Sequence, residues 1–237
     1  MIELYFYPSP NGLKIAIMLE ECGLPYELKP VNIGRGEQFR PEYLAINPNN
    51  KIPTIVDRDT GVSVFESGAI LMYLAEKSGQ FLPPEPEARI RTLSWLFWQV
   101  GGLGPMAGQA HHFRAFASET VPYGIERYTA ECNRLYGVMD RQLGEHEFIA
   151  GDYSIADMAC WPWIVPHERQ GQDLDDFPNL KRWFETVRER PGVKRGFALG
   201  HEKMMDREGY RFLYGQTATM VDEQAELQEQ TQEGQQS

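Results

Sequence analysis

The run from Asn47 to Leu74 constrains the fold of this chain most, because it passes from loop to strand to helix through two unusual junctions. At the first, Lys51-Ile52-Pro53 directly precedes the short run Thr54-Ile55-Val56. Proline has no N–H to give to a ladder, so the spacing predicts a strand that begins at Pro53. A cis Ile52-Pro53 bond would turn the chain sharply and leave the Ile52 N–H and C=O unpaired, open to an extended peptide as an additional strand. At the second, Phe65-Glu66-Ser67-Gly68, the extended Val62, Val64 and Phe65 give way to the helical spacing Ile70, Leu71, Leu74, with Ser67 as the expected N-cap.

A serine at a helix start, with free first-turn N–H groups and the positive end of the dipole, suits a carboxylate, and Glu66 beside it suits an ammonium. Together the junctions fit the zwitterionic head of an amino acid with a peptide backbone close by. Taken singly, each also reads as ordinary structure: an edge-strand proline and a plain helix cap.

The remaining sequence narrows the class. A length of 237 residues with 42% hydrophobic content supports one or two cored domains. A net charge of −11 argues against nucleic acid or an anionic membrane as partner. No signal-type segment or membrane-length apolar run is present, so a cytoplasmic protein is expected. The 3 cysteines, Cys22, Cys132 and Cys160, are scattered and form no CxxC, which argues against a disulfide framework, a zinc site or a dithiol cycle of the chain's own. His111-His112 has no partner at ligand spacing, and no metal is expected.

In chain order, the strand Leu4-Tyr5-Phe6-Tyr7 ends in Pro8-Ser9-Pro10-Asn11-Gly12 and leads into a helix with Ile15, Ile17, Met18 and Leu19, up to Cys22-Gly23. Ser9 and Asn11 stand where side-chain caps belong; a group over this helix start meets a hydroxyl, an amide and unpaired N–H donors, a setting that lowers a thiol's pKa. Both residues also read as caps of their own helix. A second strand spans Tyr26 to Val31. Gly34-x-Gly36 lacks the rest of a dinucleotide fingerprint and reads as a turn, and a short helix follows around Pro41. The order β-α-β-α-β-β-α resembles a thioredoxin-like domain.

The strand-end Ser9-Pro10-Asn11, the run Asn49-Asn50-Lys51-Ile52-Pro53 and Phe65-Glu66-Ser67-Gly68-Ala69-Ile70 resemble the glutathione-binding half of glutathione transferases. Pro10-Asn11-Gly12, Gln38-Phe39-Arg40-Pro41-Glu42, the tryptophan-rich run Trp95 to Met106 and Ile125-Glu126-Arg127-Tyr128 are similar to the bacterial nu class, whose members resemble glutathione-dependent disulfide-bond reductases. The resemblance implies glutathione as co-substrate, held by Ile52, Pro53, Glu66 and Ser67, with Gln38 and Lys51 as donors for its glycyl carboxylate. It implies thiolate stabilisation by Ser9 or Asn11, with the strand-end Tyr7 as the alternative that other transferase classes use. It further implies a homodimer in which Arg127 reaches the partner's glutathione, whereas the residues alone read Arg127 and Glu131 as a solvated pair.

Helix-breaking residues from Gly79 to Pro86 separate the halves. Expected are an α/β thioredoxin-like domain over residues 1–82, a linker over 83–88, an all-helical domain over 89–205 and a disordered acidic tail over 206–237. In the helical half, Gly101-Gly102-Leu103-Gly104-Pro105 should kink a helix and open a gap toward the first domain, with Trp95, Trp98, Phe113 and Phe116 as candidate walls of an acceptor pocket. Ser154 and Asp157 form a capping box, and a last helix through Leu180 and Val187 is expected to stop at Arg190-Pro191-Gly192. The expected function is disulfide reduction with glutathione, with conjugation to electrophiles as a further activity; the alternative is a non-catalytic binding or regulatory protein on the same scaffold.

Overall fold

The computed structural model describes residues 1–203, so the expected tail over 206–237 lies outside the described residues. The first half is a four-stranded sheet in the order β2-β1-β3-β4. β1 (Ile2–Phe6) runs parallel to β2 (Tyr26–Pro30) and antiparallel to β3 (Thr54–Asp57), which pairs antiparallel with β4 (Val62–Phe65). Ile2, Leu4 and Phe6 of β1 are buried while Glu3 and Tyr5 between them are partly exposed, the period-two pattern of a strand with one face on a core.

Helix α1 (Pro10–Cys22) is buried from Gly12 to Leu19, because the sheet covers one side and helices of the second half cover the other. Its start is crowded: a Cβ on Gly12 would lie 2.2 Å from the Tyr7 carbonyl, so only glycine lets the helix leave β1 at this angle. After β2 come two 3₁₀ turns, Ile33–Arg35 and Glu37–Phe39, and the one-turn helix α2 (Pro41–Leu44). The Ile52-Pro53 bond is cis. Helix α3 (Ser67–Ser78) differs from expectation at its first residue: Ser67 is inside the helix and Glu66, at φ 69°, holds the cap position without a side-chain cap bond. The serine is turned inward to another partner, and Glu66 adopts a left-handed conformation uncommon for a residue with a Cβ.

The second half is helical: α4 (Pro86–Trp98), α5 (Gly104–Ala115), α6 (Pro122–Glu145), α7 (Ile155–Ile164), α8 (Pro178–Arg188) and α9 (Pro191–Lys203). The glycine run does interrupt the first of them, since α4 passes into a π-helical turn, Gln99–Leu103, before α5 begins. The capping box of α7 is present: the Ser154 hydroxyl accepts from Ala156 N–H, and the Asp157 carboxylate accepts from Ser154 N–H. Asp157 also takes the Trp183 indole N–H at 2.8 Å, tying α7 to α8.

The helix through Leu180 and Val187 does stop before Pro191, α8 ending at Arg188, but it is not the last one: Pro191 opens α9, where its missing N–H is no loss. Packing on α1 decides the matter, where Arg190 grips Glu21 and Arg195 grips Glu20. Among the described residues no helix is long and apolar enough to cross a membrane.

Candidate functional site

The second junction and the start of α1 meet at a cavity of about 250 Å³ between the halves, lined by Asn11, Lys14, Glu66, Ser67, Gln99, Val100, Gly104, Pro105, Gly108, Gln109 and Trp163. The loop before Pro53 is fixed from behind: the Tyr43 hydroxyl and Asn47 Nδ2 both donate to the Lys51 carbonyl at 2.6 Å. The Ile52 N–H and C=O enter no hydrogen bond among the described residues, so they form a short free edge beside β3. Glu66 is exposed and receives Asn49 Nδ2 at 3.2 Å.

The two candidates at the start of α1 part company. Ser9 is the N-cap, its hydroxyl oxygen accepting from Gly12 N–H at 3.2 Å, and it does not line the cavity. Asn11 does. Its Oδ1 accepts the Trp163 indole N–H at 3.1 Å. Indole nitrogen only donates, so this bond fixes the amide with Oδ1 toward Trp163 and leaves the Nδ2 donor to face elsewhere. Tyr7 is buried at 4% exposure and is not part of the cavity wall.

Below the cavity lies Lys14, which sequence reading missed. It is 1% exposed, with Nζ donating to Gln99 Oε1 at 2.6 Å and to Ser67 Oγ at 3.1 Å. Burial pulls this amine down to about 7, with nearby Cys160 and Glu66 pulling the other way. The available signal was a single charge inside an otherwise apolar helical run. Gln99 and Trp163 were also missed as wall residues. Gly104 exists to admit Gln99: a Cβ there would lie 2.8 Å from Gln99 Nε2 and 3.5 Å from Trp163.

The aromatics expected to wall an acceptor pocket pack among themselves and their neighbours. Trp95 packs edge-on against Trp98, Phe113 stacks on Tyr128 and Phe116 lies against His111, and none of the four lines the cavity. Of the other expected site residues, Gln38 is buried, donates Nε2 to the Ile33 carbonyl at 3.3 Å and has no partner for Oε1. Lys51 is exposed. Arg127 is exposed on α6, with its guanidinium 6.0 Å from the Tyr128 ring centre. The expected Arg127–Glu131 pair does not form. Glu131 is held by Arg134 through two bonds of 2.9 and 2.7 Å, since the arginine three residues on presents its fork to the carboxylate from the same face.

The chain's own thiols are poor nucleophiles. Burial raises all three, Cys132 to about 12 and Cys22 and Cys160 above their ordinary value, and none lines the cavity. No group of three or more metal-binding side chains occurs among the described residues.

Comparison with known proteins agrees with this architecture. The sequence matches the glutathione S-transferase N-terminal domain over residues 1–76 and the C-terminal domain over residues 107–191. The disulfide-bond oxidoreductase YfcG of Escherichia coli strain K12 is 56% identical over 212 residues, spanning 86% of this chain and 99% of that protein. A glutathione transferase family member from Pseudomonas fluorescens, solved with two glutathiones bound, superposes with a TM-score of 0.77 at 46% identity, covering 83% of this chain and 92% of the other. A glutathione transferase from Pseudomonas putida, solved with one glutathione disulfide per subunit, superposes at 0.78 with 43% identity, covering 83% and 90%. With both domains matched in order and an identity of 56% along nearly the whole of a relative, the chain belongs to the glutathione S-transferase family.

Proposed function

We propose that this protein is an enzyme that reduces disulfides with glutathione. The observation that carries the reading is the contrast at the cavity: Glu66 and Ser67 at the start of α3 and Asn11 at the start of α1 line it, yet none of the chain's own thiols does. The nucleophilic sulfur therefore comes from the ligand. Glutathione lies with its γ-glutamyl head on Glu66 and Ser67, its peptide paired with Ile52 beside Pro53, its glycyl carboxylate near Gln38 and Lys51, and its sulfur over Asn11, with Ser9 holding the helix start in place. The likeness to YfcG and to a relative holding glutathione disulfide supports this reading.

The chemistry balances without a metal or a protein thiol. A glutathione thiolate attacks one sulfur of the disulfide, forming a mixed disulfide and releasing the other sulfur as a thiolate that takes up a proton. A second glutathione thiolate attacks the glutathione sulfur of that mixed disulfide, giving glutathione disulfide and the second substrate thiol. Asn11 Nδ2 lowers the cost of the thiolate by donating to it. Attack of the same thiolate on an electrophilic carbon is the further activity.

The reading includes a homodimer of nu-class type in the cytoplasm, where glutathione is kept reduced. It is supported by large apolar side chains left exposed on two elements, Val62 and Phe65 on β4 and Ile90 and Phe97 on α4, the last two 62% and 60% exposed. Arg127, exposed on α6, offers a planar donor to the ligand of the partner subunit. The test is turnover of 2-hydroxyethyl disulfide with glutathione, followed through a coupled glutathione disulfide reductase. Tight glutathione binding with turnover at the uncatalysed rate would leave a binding protein on an enzyme scaffold instead.

A further inference from the structure

Lys14 brings three distant pieces of chain to one point. It sits on α1, Ser67 opens α3 and Gln99 comes from the π-helical turn between α4 and α5, and all three are buried. An ammonium has three hydrogens and no lone pair, so both neighbours must turn oxygen toward it. For Gln99 this puts the amide nitrogen on the opposite side, where Nε2 is buried without a hydrogen-bond partner. For Ser67 it occupies a lone pair of Oγ and leaves the hydroxyl hydrogen free to point away from Nζ. One buried cation thus sets the direction of two donors on residues that line the cavity.

We propose that Lys14 is a positioning residue for the γ-glutamyl carboxylate of glutathione: its ammonium aims the Ser67 hydroxyl and the Gln99 amide at that carboxylate, and the bound anion in return holds the Lys14 proton, so that binding takes up a proton. This rests on the glutathione reading above and adds to it a proton linkage at the carboxylate, separate from ionisation of the thiol.

The sign follows from the position of the amine. Burial lowers free Lys14 to about 7. A carboxylate close by favours the charged form and raises that value, so affinity is full below about 7 and declines as pH rises from the free toward the bound value. A neutral Nζ would also present a lone pair to which the Ser67 hydroxyl donates, turning that hydrogen away from the ligand. The titratable groups facing the amine are Glu66 at the start of α3 and Cys160 on α7. The elements packed on α1 carry further charges: the buried Asp157 of α7, raised by burial to about 6 and held by Ser154 and Trp183; Glu76 and Lys77 of α3, paired with Arg89 and with Asp57 and Asp59; Lys194 and Arg195 of α9 and Arg190 before it, paired with Glu189, Glu20 and Glu21; and Glu3 of β1, paired with Arg58.

The probe is S-methylglutathione, which keeps the carboxylate and has no thiol proton. Calorimetric titration of the whole chain in buffers of different ionisation enthalpy counts protons taken up. The expected count is close to zero near pH 5.5 and most of one proton near pH 7.8, with affinity falling up to roughly tenfold from pH 6 to pH 8. Lys14→Met keeps the apolar stem and removes the charge; it should bind more weakly, with affinity flat over this range and the uptake gone. Wild-type binding without uptake near pH 7.8, or uptake undiminished in a folded Lys14→Met, overturns the proposal and leaves the glutathione reading standing. Failure of the wild type to bind both S-methylglutathione and glutathione overturns the two together. The wild-type proton count is decisive by itself where the variant proves unstable.

Discussion

Replacing Asn11 separates its structural from its chemical role. In Asn11→Ala the Trp163 indole N–H, on a side chain only 5% exposed, loses its acceptor, at a cost of about 1–3 kcal/mol in stability. The same change removes the Nδ2 donor. A hydrogen bond to a charged partner contributes about 1.5–3 kcal/mol, and at 1.36 kcal/mol per pKa unit the thiol of bound glutathione should rise by about one to two units. Asn11→Asp is the control: it keeps an oxygen for Trp163, so most of the stability stays, but sets a negative charge where the donor was and should raise the thiol further. The assay is the ultraviolet absorbance of the thiolate in the glutathione complex as a function of pH, with thermal unfolding measured in parallel. Ser9→Ala should affect stability through the lost cap by about 0.5–2 kcal/mol and the thiol less, and Tyr7→Phe should change the thiol little. A thiol in Asn11→Ala titrating within a few tenths of a unit of wild type would remove Asn11 as the thiolate donor, and loss of the thiolate signal in Tyr7→Phe alone would point to a tyrosine-activated site.

Ser67→Ala should weaken glutathione binding by about 1.5–3 kcal/mol, roughly tenfold to a hundredfold, read by calorimetry; unchanged affinity removes Ser67 from the carboxylate site. Arg127→Ala should sediment as a dimer yet bind glutathione more weakly, and a monomeric wild type or an unaltered affinity would return Arg127 to the solvated face. Burial pushes the Asp57 carboxyl up, but Lys77, Tyr73 and the Asp59 N–H outweigh it and bring it to about 2, below the ordinary carboxylate value. Its stabilisation is therefore present above about pH 4 and is lost as pH falls toward 2, so urea unfolding should show a steeper acid loss in wild type than in Asp57→Asn; equal slopes would contradict this.

The elements of the first half and their order were legible in the residues alone, because they depend on neighbours. Pro53 must stand directly before a strand, Gly12 must follow a tight turn, and the alternation in β1 marks a strand with one buried face. The π-helical interruption before α5 was legible in its glycines for the same reason. Local rules erred where one signal has two outcomes. Pro191 reads as the end of the last helix, and α8 does end before it, but the same proline opens a further helix, α9, whose region is ion-paired to α1. Ser67 has the chemistry of a cap, yet it stands one place further on, at the first helical position, with its Oγ accepting from a buried ammonium.

The partner of each polar group at the cavity, by contrast, is set by packing between distant elements. Lys14 meets Ser67 from 53 positions away and Gln99 from 85, and Trp163 reaches Asn11 across 152. A sequence shows that a lone lysine lies in an apolar helical run. It does not show which oxygens face that lysine, because burial is fixed by the periodicity of one element, whereas hydrogen bonding among buried groups is fixed only when several elements have packed and every donor must find an acceptor.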